Sequence, residues 1–125
     1  MFLDTTFLIS LAEEIQDRVV GPARTFLSRN RRHVHRVTVV SLGEIAAGMP
    51  RNQTARDFLA KFRIVTLKPE IALEAASIDR ELIRTGRRLG ENDTWIAGFC
   101  RYYRQPVISL DGAFDRVPRL RRVAY

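Results

Sequence analysis

A chain of 125 residues with 46% hydrophobic content is enough for one compact domain with a buried core, so residues 1–125 are read as a single domain. No apolar run reaches the roughly 18 to 20 residues of a membrane span. Met1-Phe2-Leu3-Asp4 lacks the basic and apolar regions of a signal peptide, and the lone Cys100 rules out an internal disulfide or a thiolate zinc site, so a cytoplasmic location is expected. The net charge of +7 and pI near 10.7 point to a polyanionic partner, nucleic acid or an acidic protein. All but two of the 21 basic residues, Lys61 and Lys68, are arginines, which grip phosphate or carboxylate through paired hydrogen bonds.

In chain order, Met1 to Asp4 reads as a short apolar strand, and Thr5-Thr6 opens a helix carrying Phe7, Leu8, Leu11 and Ala12 at helical spacing. Gly21-Pro22 starts a second helix with Phe26 and Leu27 inward. Val37 to Val40 is a β-branched run of strand length. Ser41-Leu42-Gly43-Glu44 has the form of a helix capping box, and that helix stops at Gly48-Met49-Pro50. A helix over about Gln53 to Phe62, a strand at Ile64 to Leu67 and a long helix from Pro69 to a Gly86 cap follow. After a loop from Arg87 to Asn92, Asp93 to Tyr103 is helical, with Trp95, Ile96, Phe99, Cys100 and Tyr103 near one stripe. Val107 to Leu110 and a short segment at Arg122 to Ala124 complete the strands.

Apolar strands alternating with helices predict an α/β fold: a mostly parallel sheet of four to five strands with helices on both faces, in three layers. Ligands of such sheets bind beyond the carboxyl ends of the strands, where strand order reverses. Asp4 ends the first strand, Glu44 lies just after the second, and Asp111 follows the fourth. Asp93 reaches the same edge if its helix runs back beneath the sheet in a right-handed crossover.

Carboxylates gathered at one edge repel and raise one another's pKa unless a cation intervenes. Oxygen donors select magnesium, with manganese as an alternative, and a metal-activated water then suits phosphodiester hydrolysis within an otherwise basic surface.

These motifs resemble those of the PIN-domain family, particularly the VapC toxin ribonucleases of type II toxin–antitoxin systems. Met1-Phe2-Leu3-Asp4-Thr5-Thr6 is similar to the family's first acidic motif, Ser41-Leu42-Gly43-Glu44-Ile45 to its second and Glu91-Asn92-Asp93-Thr94-Trp95-Ile96-Ala97 to its third. Val107-Ile108-Ser109-Leu110-Asp111 with Phe114 is similar to its fourth, and the match spans nearly the whole chain. The resemblance implies a metal-dependent endoribonuclease in which Asp4 and Asp93 are the main magnesium ligands, Glu44 and Asp111 complete the site, and Thr6 and Ser109 supply supporting hydroxyls. It also implies an RNA substrate, a small VapB-like antitoxin as partner and a homodimer. Thr6 stands where relatives often carry serine or asparagine, and Asp115 competes with Asp111 for the fourth acidic position.

Plainer readings stand beside these. Asp4, Glu44 and Asp93 can each serve as helix caps or first-turn charges, and Asp111-Gly112 is a common turn; Thr5 and Thr6 make an aspartate at position 4 unnecessary for capping. His33 and His35 lack evident catalytic partners, and the aromatic residues Trp95, Phe99, Tyr102 and Tyr103, which are able to stack bases, have the helical spacing that favours core or dimer packing instead. A receiver domain would need a lysine near a late strand, and a haloacid-dehalogenase-type phosphatase an aspartate where Thr6 stands. A PIN-like module that binds RNA or protein without cleaving is the remaining alternative.

Overall fold

The computed structural model describes residues 1–125. In chain order it contains β1 (Phe2–Leu3), α1 (Thr5–Gln16), α2 (Pro22–Arg29), β2 (Arg36–Thr38), α3 (Val39–Ala47) and α4 (Asn52–Leu59). Then come β3 (Arg63–Val65), α5 (Pro69–Arg84), α6 (Glu91–Tyr102), β4 (Val107–Ile108), a 3-10 turn (Gly112–Arg116) and β5 (Arg122–Val123). The five strands pair in parallel in the order β3-β2-β1-β4-β5, so β1 is central and strand order reverses beside it. No helix is long and apolar enough to cross a membrane.

Alternation along these short strands sends side chains into two cores. Phe2 and Val107 join Ile71, Ile78, Ile96 and Phe99 beneath α5 and α6. Leu3, Val37 and Ile108 join Phe7, Leu8, Ile45 and Leu59 beneath the helices of the first half. With helices on both faces, the molecule is the three-layer α/β/α sandwich expected from the apolar strands.

Two close approaches fix the layers. A Cβ on Gly98 of α6 would lie 2.8 Å from the Ala75 Cβ of α5, so only glycine allows this crossing. Arg101 of α6, buried beneath the same pair, reaches Glu74 and Glu81 of α5 and the Pro118 carbonyl. On the other face the buried Glu14 of α1 accepts from the backbone N–H groups of Gly21, Ala23 and Arg24, satisfying the exposed amino end of α2 from outside that helix.

The boundaries differ from expectation in several places, most informatively at the start of α3, and β3 runs over Arg63–Val65 rather than Ile64 to Leu67. Val39 and Val40, read as strand because both are β-branched, form the first turn of α3: the Thr38 hydroxyl accepts from Ser41 N–H at 3.1 Å and starts the helix three residues early. The capping box at Ser41 and Glu44 is therefore absent, and Glu44 lies within the helix with its carboxylate free for another partner. α6 likewise begins at Glu91 rather than Asp93, leaving Asp93 in its first turn. The Gly86 expectation agrees with the structure, where that residue follows the end of α5 at φ 65°.

Candidate active site

β1 and β4 pair through Leu3 and Ile108, and Asp4 N–H donates to the Ile108 carbonyl at 3.2 Å. This register brings the residues after both strands to the carboxyl edge, at the reversal of strand order. Asp4 is nearly buried, and its carboxylate is firmly seated: Oδ1 accepts from Phe7 N–H at 2.7 Å and Oδ2 from the Thr6 hydroxyl at 2.8 Å. Asp4 is thus the N-cap of α1, although the neighbouring threonines seemed to make that unnecessary. Capping engages one lone pair on each oxygen and leaves others open.

The Ser109 hydroxyl stands between the first and last acids, accepting from Asp111 N–H at 2.9 Å and lying near enough to the Asp4 carboxylate to favour its ionised form. Burial pushes the Asp4 carboxyl above its ordinary value; Ser109 and the hydrogen bonds from Phe7 and Thr6 oppose that rise, and the charge of Asp111 adds to it. Asp111 is exposed and caps the 3-10 turn through a 2.9 Å bond from Ala113 N–H.

Glu44 is half-buried on α3 and accepts from the Thr5 hydroxyl at 2.7 Å, while Thr5 also meets the Ser41 hydroxyl at 2.9 Å. Thr5 is a site residue that sequence reasoning missed. Its adjacency to Asp4 suggested only helix initiation, and nothing in the sequence announces a contact made across 39 positions.

Asp93 registers all the others. Its half-buried carboxyl is pushed up to about 6, first by burial and then by the negative charges of Asp111, Asp4 and Glu44. Asp115 is absent from that set of charges; Arg122 holds it through bonds of 3.0 and 2.9 Å and keeps its carboxyl below the usual range. Asp111 is accordingly the acid that shares the field of Asp93.

The carboxylates share one neighbourhood without forming a finished ligand set. No three acidic, histidine or cysteine side chains converge closely enough to hold a metal ion as they stand. In charge and donor chemistry the group still fits a hard divalent cation: it offers oxygen alone, and none of Asp4, Glu44, Asp93 or Asp111 has an ion-pair partner. Of the acids elsewhere on the molecule, Glu74, Asp79, Glu81 and Asp115 are paired with arginine, and the other six, like the site acids, are not. His33 and His35 precede β2 at the opposite edge of the sheet, and burial beside the Met1 ammonium holds the His35 imidazole below its ordinary pKa. Phe99 is buried in the core, and Tyr103 packs against Phe2.

Solved structures share this architecture. VapBC2 from Rickettsia felis, bound to a promoter DNA fragment, aligns with a TM-score of 0.83 at 19% identity, covering 98% of this chain and 96% of that one. DNA-bound VapBC from Salmonella typhimurium aligns at 0.76 with 20% identity over 98% and 96%. FitAcB from Neisseria gonorrhoeae aligns at 0.71 with 16% identity over 97% and 94%. No curated protein matches the sequence. At such identities these likenesses establish the fold. The family itself follows from the family model described as PIN domain, which matches residues 1–120, nearly the full length, and includes all four acidic motifs: the chain belongs to the PIN-domain family.

Proposed function

We propose that the chain is a VapC-like toxin, an endoribonuclease that hydrolyses phosphodiester bonds of single-stranded or loop RNA at the Asp4, Glu44, Asp93 and Asp111 edge, with magnesium or alternatively manganese as cofactor. The observation that carries this reading is the environment of Asp93. Its carboxyl is pushed up to about 6 among three further carboxylates, and none of the four is ion-paired although the chain has 21 basic residues. A group that leaves its own negative charge unanswered is suited to a cation from solution.

Asp4 and Asp93 would be the main ligands, with Glu44 and Asp111 completing the set. When bound, a divalent ion lowers the pKa of the attacking water and offsets charge on the departing oxygen. The chain's own groups orient the donors. Thr6 and Phe7 N–H hold Asp4 against β1, Ser109 stands between it and Asp111, and Thr5 holds Glu44. The arginine-rich surface holds the RNA backbone beside the acids.

The toxin–antitoxin assemblies among the structural neighbours support a small VapB-like antitoxin as partner, and the positive charge favours one with an acidic tail. A homodimer acting in the cytoplasm belongs to the same reading. Incubation of the purified chain with single-stranded RNA tests it. Cleavage with magnesium that stops in EDTA is expected; equal cleavage in both, or none in either, contradicts it and, in the second case, favours a module that binds without cutting.

A further inference from the structure

A parallel sheet covered on both faces is normally apolar on both. One row across this sheet departs from that rule. Arg63, Arg36, Phe2 and Val107 are successive register partners, so their side chains leave the same face, the one packed under α5 and α6. Phe2 and Val107 enter the core, whereas Arg36 and Arg63 lie side by side at the amino ends of β2 and β3. With Val65, Thr66 and Tyr103 they line a cleft of about 300 Å³.

Neither arginine has a partner within the chain. The ion pairs use Arg88, Arg101, Arg119 and Arg122, and no side-chain hydrogen bond involves Arg36 or Arg63. More positive charge gathers here: the Met1 ammonium lies close enough to Arg36 to feel its field, and the Lys68 ammonium stands 5.3 and 5.6 Å from the ring centres of Tyr102 and Tyr103. Like charges opposite one another on neighbouring strands destabilise a sheet. A local rule broken without compensation inside the fold marks a place shaped for something else.

We infer that Arg36 and Arg63 form a phosphate-binding subsite for the backbone of a single RNA strand, at the sheet edge opposite the acidic residues. Two adjacent guanidiniums can hold phosphate oxygens in forked pairs. Tyr103 lines the cleft beside them with the Lys68 ammonium over its ring, which adds a further positive charge, and the RNA substrate proposed above favours nucleic acid over an acidic peptide as the occupant. β2 is only three residues long, about 10 Å at roughly 3.3 Å per residue, so the cleft and the acidic edge are close together along the strand direction. The inference rests on RNA as the substrate but not on metal or cleavage.

Fluorescence anisotropy of a labelled single-stranded oligoribonucleotide of mixed sequence, measured in EDTA, is the test. The Arg36→Gln/Arg63→Gln variant is expected to bind about tenfold more weakly, with the slope of log affinity against log salt reduced by about 1.4, roughly 0.7 for each lost phosphate contact. Arg51→Gln/Arg56→Gln removes the same charge from two exposed positions, the N-cap and the last turn of α4, and is expected to have a much smaller effect. Arg36→Lys/Arg63→Lys keeps the charge and loses the fork; its expected weakening of several-fold carries the test if the glutamine variant does not fold. Equal losses in the α4 control, unchanged binding in the lysine variant, or loss of poly-glutamate binding with RNA binding retained would each overturn the subsite. Failure of the unaltered chain to bind RNA would overturn the proposed substrate too, whereas equal RNA binding by the unaltered chain and the glutamine variant removes the subsite alone.

Discussion

The Thr5 hydroxyl donates to Glu44 Oε1 at 2.7 Å and so ties the first turn of α1 to α3 across the carboxyl ends of β1 and β2. This bond sets the position of an acid that no capping box holds. Thr5→Val removes it while keeping the shape, and should lower stability by about 1 kcal/mol, a fall of roughly 3–5 °C in Tm. RNA cleavage should fall by a larger factor than the stability change, and Thr5→Ser should restore most of it. Activity surviving intact in Thr5→Val would show that Glu44 needs no such hold.

The pH dependence of stability should carry the mark of Asp93. Its carboxyl is raised from 3.8 to about 6 in the folded chain, so the folded state holds an extra proton between those values. Stability from this group is complete below about 4 and is lost as pH rises through about 6, because burial, and then the neighbouring carboxylates, disfavour the ionised form. Asp93→Asn should therefore be more stable than the unaltered chain in EDTA at pH 7.5, with the difference shrinking towards pH 4. Denaturant unfolding at several pH values checks this, and a difference that grows on acidification would have the wrong sign.

Glu14 and Gly21 depend on one another through packing. A Cβ at Gly21 would come within 2.6 Å of Glu14 Oε1, displacing the carboxylate that caps α2. Gly21→Ala and Glu14→Gln should each cost about 2 kcal/mol in thermal unfolding, and together little more than either alone, since both remove one cap. Additive losses would mean that the two residues act separately.

At the α5–α6 crossing, Gly98→Ala forces a methyl against Ala75 and should destabilise by about 1–3 kcal/mol. Ala75→Gly in the same chain opens the space and should recover part of the loss. A calorimetric double-mutant cycle with no coupling would contradict the close approach.

Much of this architecture was legible in the chain. Apolar runs at Met1 to Asp4 and Val107 to Leu110 located the central strands, and the acids that follow them fell at the sheet edge the topology favours. The first turn of α3 was not legible: Val39 and Val40 have the chemistry of a strand, and only the Thr38 cap, a choice made by three-dimensional context, turns them into helix. Asp4 was harder to read for the opposite reason, since a carboxylate at a helix start serves a cap and a metal equally well. Thr5 with Glu44, and Arg36 with Arg63, meet only through strand register and helix placement, which a single sequence does not display.

Everything proposed for the active site turns on the four acids taking up a divalent ion together. Titration of Mn²⁺ into the purified chain by calorimetry measures that directly, beside Asp4→Asn and Asp93→Asn. A saturable binding event in the unaltered chain that each substitution abolishes or weakens at least tenfold is expected. Binding unchanged in both variants, or absent from the unaltered chain, would contradict the metal site.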